Sequence, residues 1–172
     1  MEASKASTGN LAVNPERCEL GVLLTQTVGE YEEKLKKAGL ELIIDKPDDP
    51  VVIMADRQHL WRIFDNLMNN ICKYSMPGTR VYLTLKRGAA IDGDSVRARA
   101  LVTFRNISKT RLNVSEEELM ERFVRGDSSR NTEGSGLGLS IASSLTKLQK
   151  GTMDLVVDGD LFKVSLCFDA VD

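Results

Sequence analysis

The stretch from Asn66 to Gly78, Asn-Leu-Met-Asn-Asn-Ile-Cys-Lys-Tyr-Ser-Met-Pro-Gly, constrains this chain more than any other. Read with the residues from Asp56 onward, it places Leu60, Ile63 or Phe64, Leu67, Ile71 and Tyr74 at three- and four-residue spacing. That is the apolar stripe of a helix packed on a core, and Asp56 stands where such a helix needs an N-cap acceptor. Asn66, Asn70 and Lys73 recur about one turn apart on a different face. Two amides and an ammonium in one row suit a metal ion and phosphate. Taken alone, three such residues suit a solvated helix face better.

A second segment shifts that weighting. Gly134-Ser-Gly-Leu-Gly-Leu-Ser-Ile-Ala opens a helix that runs to about Gln149, with Leu137, Ile141, Leu145 and Leu148 on its inner side. Glycines at a helix start leave backbone N–H groups facing outward, where the helix dipole also favours an anion. A dinucleotide fingerprint would need a strand feeding the first glycine. Here a polar loop, Arg125 to Glu133, precedes it, and no Gly-x-x-x-x-Gly-Lys-Ser/Thr loop occurs in the chain.

In this order the two segments resemble the ATP-binding catalytic domain of sensor histidine kinases, in the GHKL superfamily. Asp56 to Pro77 is similar to that family's N box, Glu121 to Arg130 to its F box, and Gly134 to Leu139 to its G2 box. The resemblance spans nearly the whole chain. It implies a two-layer α/β sandwich, one mixed sheet against helices (the GHKL or Bergerat ATP-binding fold), with ATP held between the N-box helix and a lid.

The remaining sequence is compatible. At 172 residues the chain is most simply one domain with a sizeable core, and its net charge of −2 gives no basic excess for nucleic acid. The apolar runs are too short to span a bilayer, so no direct membrane contact is expected. Cys18, Cys72 and Cys167 lack paired spacing and read as small buried hydrophobes in a reducing compartment. Helices are expected over 20–38 and from Ser115 to Phe123, strands over 40–44, 51–54, 79–86 and 96–105, and a closing hairpin over 151–157 and 161–168. Residues 1–10 resemble a linker from a dimerisation helix, leaving 11–172 as the catalytic domain.

The resemblance also implies roles. Asn70 would give its side-chain carbonyl to Mg²⁺, and Asn66 would touch phosphate or the ion's waters. Lys73 would neutralise phosphate charge, with Tyr74 beside the nucleotide. Arg125 and Arg130 would reach the γ-phosphate, and Gly134, Ser135, Gly136, Leu137 and Gly138 would wrap the phosphates. For Arg125 a plain surface arginine is an equal reading. ATP and Mg²⁺ are the cofactors implied. A dimerisation and histidine-phosphotransfer domain of the same protein and a response regulator are the partners. The parent would be a membrane-bound bacterial sensor kinase with this domain in the cytoplasm, and the isolated piece would be monomeric.

Position 66 separates related activities. The superfamily's ATPases and serine kinases carry a glutamate four residues before the metal asparagine, as a base for water or a hydroxyl. Asn66 cannot accept a proton, which favours transfer to an imidazole that needs little activation. The only histidine, His59, lacks an acidic neighbour in a His-Glu or His-Asp pair and reads as a surface or packing residue. The acceptor would therefore lie outside this chain. One box departs from the family pattern. Where Asp-x-Gly-x-Gly should follow the strand ending near Arg105, Asn106 stands in place of the adenine-reading aspartate, and both glycines are absent. Met120 also replaces an F-box phenylalanine. A nucleotide-binding regulatory pseudokinase, or a same-fold ATPase or serine kinase, are the alternatives.

Overall fold

A computed structural model describes residues 12–109 and 135–171, with side chains in the second stretch from Leu139 onward. Its elements in chain order are β1 (Glu16–Glu19), α1 (Leu20–Lys37), β2 (Glu41–Asp45), β3 (Val52–Ala55), α2 (Arg57–Tyr74), β4 (Arg80–Asp92), β5 (Ser95–Ile107), α3 (Ser135–Leu148), β6 (Thr152–Asp158) and β7 (Leu161–Val171). The strands form a sheet in the order β1-β3-β7-β5-β4-β2, with β6 also paired to β7. β2 runs parallel to β4 and the other pairings are antiparallel, so the sheet is mixed. This is the expected two-layer sandwich.

Alternation explains which face is covered. Val81, Leu83 and Leu85 of β4, Ala100, Val102 and Phe104 of β5, and Val164, Leu166 and Phe168 of β7 are buried at every second position. Against them lie Leu23, Leu24, Tyr31 and Leu35 of α1, Leu60, Ile63, Phe64, Leu67, Met68 and Ile71 of α2, and Leu139, Ala142 and Leu145 of α3. The Phe64 and Phe104 rings meet with centroids 5.8 Å apart and join helix layer to sheet. Among the leucines of α3 with described side chains, Leu139 and Leu145 are deeply buried and Leu148 is partly buried.

Two departures from the sequence reading have clear causes. β1, Glu-Arg-Cys-Glu, carries one buried side chain, Cys18, and is a strand because its backbone pairs along the edge of β3. The β4–β5 hairpin extends to an Asp92–Ser95 pair, beyond its alternating core residues. Its two-residue Gly-Asp turn has Gly93 at φ +63, the position that a II′ turn reserves for glycine, and Gly159 repeats the arrangement between β6 and β7. The expected helix from Ser115 to Phe123 lies outside the described residues.

α3 ends in a Schellman motif. Gly151 N–H donates to Thr146 O and Lys150 N–H to Lys147 O, with Lys150 left-handed at φ +64. A lysine there bears a strain that glycine lacks. Lys150→Gly is therefore expected to stabilise the fold by roughly 0.5–1 kcal/mol, and to raise the melting midpoint in scanning calorimetry. A lowered midpoint would contradict the strain.

Candidate functional site

α2 is fixed at both ends. At its start Asp56 Oδ1 accepts from Gln58 N–H (3.0 Å) and His59 N–H (3.3 Å), and Oδ2 accepts from Asn14 N–H (2.9 Å). Burial pushes the Asp56 carboxyl up, but the N–H groups of Asn14 and His59 and the adjacent imidazole pull it further down, below the usual carboxylate range. At the other end Lys109 N–H donates to Tyr74 O (2.9 Å) and Met76 N–H to Ile107 O (2.8 Å). The last turn of α2 is thereby stitched to the end of β5.

α3 packs along α2, and the backbone N–H of Asp56 donates to Gln149 Oε1 at 2.8 Å. The start of one helix therefore meets the end of the other, so the pair is antiparallel. Ser135 lies fourteen residues before Gln149, and Asn70 fourteen residues after Asp56. At 1.5 Å per residue both spans are about 21 Å, which brings the first turn of α3 level with Asn70. Packed helices have axes about 8–10 Å apart, so at this level the Asn70 end of α2 and the N-terminus of α3 are neighbours.

Asn66 and Asn70 are half-buried, and each Nδ2 is enclosed without a hydrogen-bond partner among the described residues. An enclosed amide left unpaired costs about 1–3 kcal/mol, so two in one row mark groups the fold itself does not use. Rotation about the last side-chain bond lets each present its carbonyl oxygen instead. The row thus fits an ion or a phosphate chain that brings most of its own ligands. Among the described residues no group of three or more His, Cys, Asp or Glu could form a protein-only metal cage. Mg²⁺ needs none, because it keeps water and phosphate oxygens and takes one or two ligands from protein.

Acid–base character is equally specific. Asp65, next to Asn66, is turned toward α1, where the Tyr31 hydroxyl donates to its carboxylate and, at 3.0 Å, to its backbone carbonyl. Burial, then this bond, push the Tyr31 hydroxyl well above its ordinary range. Asp65 is therefore engaged away from the asparagine row. Lys73 and Tyr74 continue the row, both half-buried.

Asn106 is 4% exposed, with Nδ2 donating to Ser75 Oγ at 2.8 Å. The bond ties β5 to the C-cap of α2 and uses one of the two amide N–H groups, with the carbonyl oxygen as the side chain's acceptor. Ser108, the second residue on, is buried and bridged to Ser75. Of the other sequence-derived site residues, Ser135, Gly136, Leu137 and Gly138 form the first turn of α3, while Arg125, Arg130 and Gly134 lie outside the described residues. Gln149 and Ser75 were not singled out in the sequence. The one signal for Gln149 was indirect: His59 occupies the third helical position, where a capping box would place Glu or Gln.

Residues 55–169 match the family model described as histidine kinase-, DNA gyrase B-, and HSP90-like ATPase. The probable sensor protein PcoS of Escherichia coli is 31% identical over 96% of this chain and 34% of its own length. The chain spans between 26% and 34% of the first three curated relatives. Among solved structures, full-length ShkA in complex with AMPPNP has a TM-score of 0.76 at 21% identity, covering 99% of this chain and 34% of that one. The catalytic domain of histidine kinase ThkA has a TM-score of 0.73 at 18% identity, covering 91% of this chain and 95% of that domain. At these identities the structures speak for the fold.

Proposed function

Because the chain belongs to the histidine kinase-, DNA gyrase B- and HSP90-like ATPase family, we propose that it is the ATP-binding catalytic domain of a sensor histidine kinase. The observation that supports this reading is the antiparallel packing of α2 and α3, in which the Asn70 end of the asparagine row lies level with the glycine-rich helix start. In this reading Asn70 ligates Mg²⁺ through its carbonyl oxygen, and Asn66 contacts phosphate or the ion's waters. Lys73 neutralises charge, Tyr74 flanks the nucleotide, and Asn106 accepts from the adenine amino group. The backbone N–H groups opened by Gly134, Ser135, Gly136, Leu137 and Gly138 face the phosphates, and Arg125 and Arg130 approach the γ-phosphate.

Bound Mg²⁺ would supply charge neutralisation and orientation for an in-line displacement. In this reading the residues of the α2 row position the triphosphate, and none of those described there is a proton acceptor. Asn66 cannot accept a proton, and Asp65 is held by Tyr31. Such a site hydrolyses ATP poorly and serves an imidazole nucleophile brought to it. The histidine would come from a dimerisation domain of the same protein, and a response regulator would receive the phosphoryl group. Among the described residues no helix is long and apolar enough to cross a membrane. The proposal places this domain on the cytoplasmic side of a membrane-bound parent.

The test supplies the chain with the dimerisation helices of its parent and labelled Mg-ATP. Acid-labile, alkali-stable phosphoprotein is the expected product. Acid-stable label would indicate a serine kinase, free phosphate alone an ATPase, and binding without either product a regulatory pseudokinase.

A further inference from the structure

Asp56 caps α2 with its own carboxylate, but its backbone N–H is bound by a side chain 93 residues further along. In a local capping box that N–H is taken by a Glu or Gln three residues into the helix. Here His59 holds the position, and its Nε2 lies 2.7 Å from Ala12 O instead. Gln149, the C-cap residue of α3, does the work from the neighbouring helix, and both it and Asp56 are 7% exposed. The capping box is split between two helices and closes only when the end of α3 is seated on the start of α2.

Apolar contacts such as those of Leu139 and Leu145 are non-directional and tolerate sliding along the helix axes. A single buried polar side chain can fix one register where apolar packing alone allows several. We propose that Gln149 is a positioning residue of the nucleotide site: its bond to Asp56 sets the axial register that holds the first turn of α3 level with Asn70. The proposal rests on the nucleotide-binding reading above. It makes the distant cap and the phosphate cleft thermodynamically linked, so each strengthens the other.

Gln149→Met keeps length and bulk but loses the oxygen acceptor. By isothermal calorimetry on this chain, its Kd for ATP in Mg²⁺ is expected to rise about tenfold, a usual size for such linkage. In EDTA the Kd should stay within about twofold, because the ion-linked triphosphate is what requires both helices in register. A second measurement needs no variant. Saturating Mg-ATP should slow hydrogen exchange at the Asp56 amide by about fivefold or more, some 21 Å from the phosphates. An unaltered Kd in both conditions, with only the melting midpoint lowered, would make Gln149 structural and overturn the proposal. Exchange at Asp56 unaffected by nucleotide would overturn it whether or not the variant folds. If the unsubstituted chain takes up no Mg-ATP at all, the nucleotide reading fails first and the proposal with it.

Discussion

Asn70→Ala is expected to lower affinity for Mg-ATP by about a hundredfold or more, equivalent to ~2.7 kcal/mol, while the ligand-free melting midpoint hardly moves. The two halves of that expectation come from one observation. Asn70 Nδ2 is enclosed yet bonds to nothing among the described residues, so removing the amide takes no such bond from the fold, and the relief of its unpaired burial offsets the side-chain packing lost. Its neighbours Leu67 and Ile71 bury the apolar side of the helix and are untouched. The nucleotide, by contrast, loses the protein's carbonyl ligand to its ion. Asn106 offers a useful contrast. Its amide is bonded to Ser75 inside the fold, so Asn106→Ala should lower ligand-free stability and affinity together. Calorimetric titration and a thermal melt of each variant separate these cases. A large loss of ligand-free stability in Asn70→Ala would make Asn70 a structural residue and remove it from the site.

Gly151→Ala should meet the most severe crowding of any glycine-to-alanine change at the described glycines. A Cβ built at Gly151 would stand 2.5 Å from Phe168 Cδ1, 2.6 Å from Cε1 and 2.9 Å from the Cys167 carbonyl oxygen. Phe168 is 2% exposed and packed in the core, and the carbonyl belongs to the β6–β7 ladder, so neither can yield cheaply. Overpacking of this kind costs about 1–3 kcal/mol or more, enough to lower the midpoint by roughly 5–10 °C. Gly29→Ala is the control. Nothing lies within 4 Å of its added Cβ, and alanine is the better helix former within α1. Equal midpoints for the two variants would show that the crowding at Gly151 is easily relieved.

Much of this was legible from residue patterns, and the limits are physical. α1, α2, β4, β5 and β7 announce themselves because buried positions recur at the helix or strand period, and the two Gly-Asp turns mark their hairpins. β1 and the distal half of the β4–β5 hairpin do not, because backbone pairing rather than side-chain burial makes them strands. The asparagine row was visible as i, i+4, i+7 spacing, whereas its opposition to the start of α3 depends on a contact between positions 56 and 149. Local spacing shows at most that His59 leaves the capping-box position unfilled, not which distant residue fills it. Asn106 takes its adenine-acceptor role from the family pattern, whereas its bond to Ser75, which orients the amide, joins residues 31 apart.

The most direct measurement is isothermal titration of this chain with ATP in the presence of Mg²⁺. One saturable site is expected, weakened when the metal is chelated. Absence of any heat of binding for ATP or ADP, with the protein shown to be folded, would contradict a nucleotide cleft between α2 and α3.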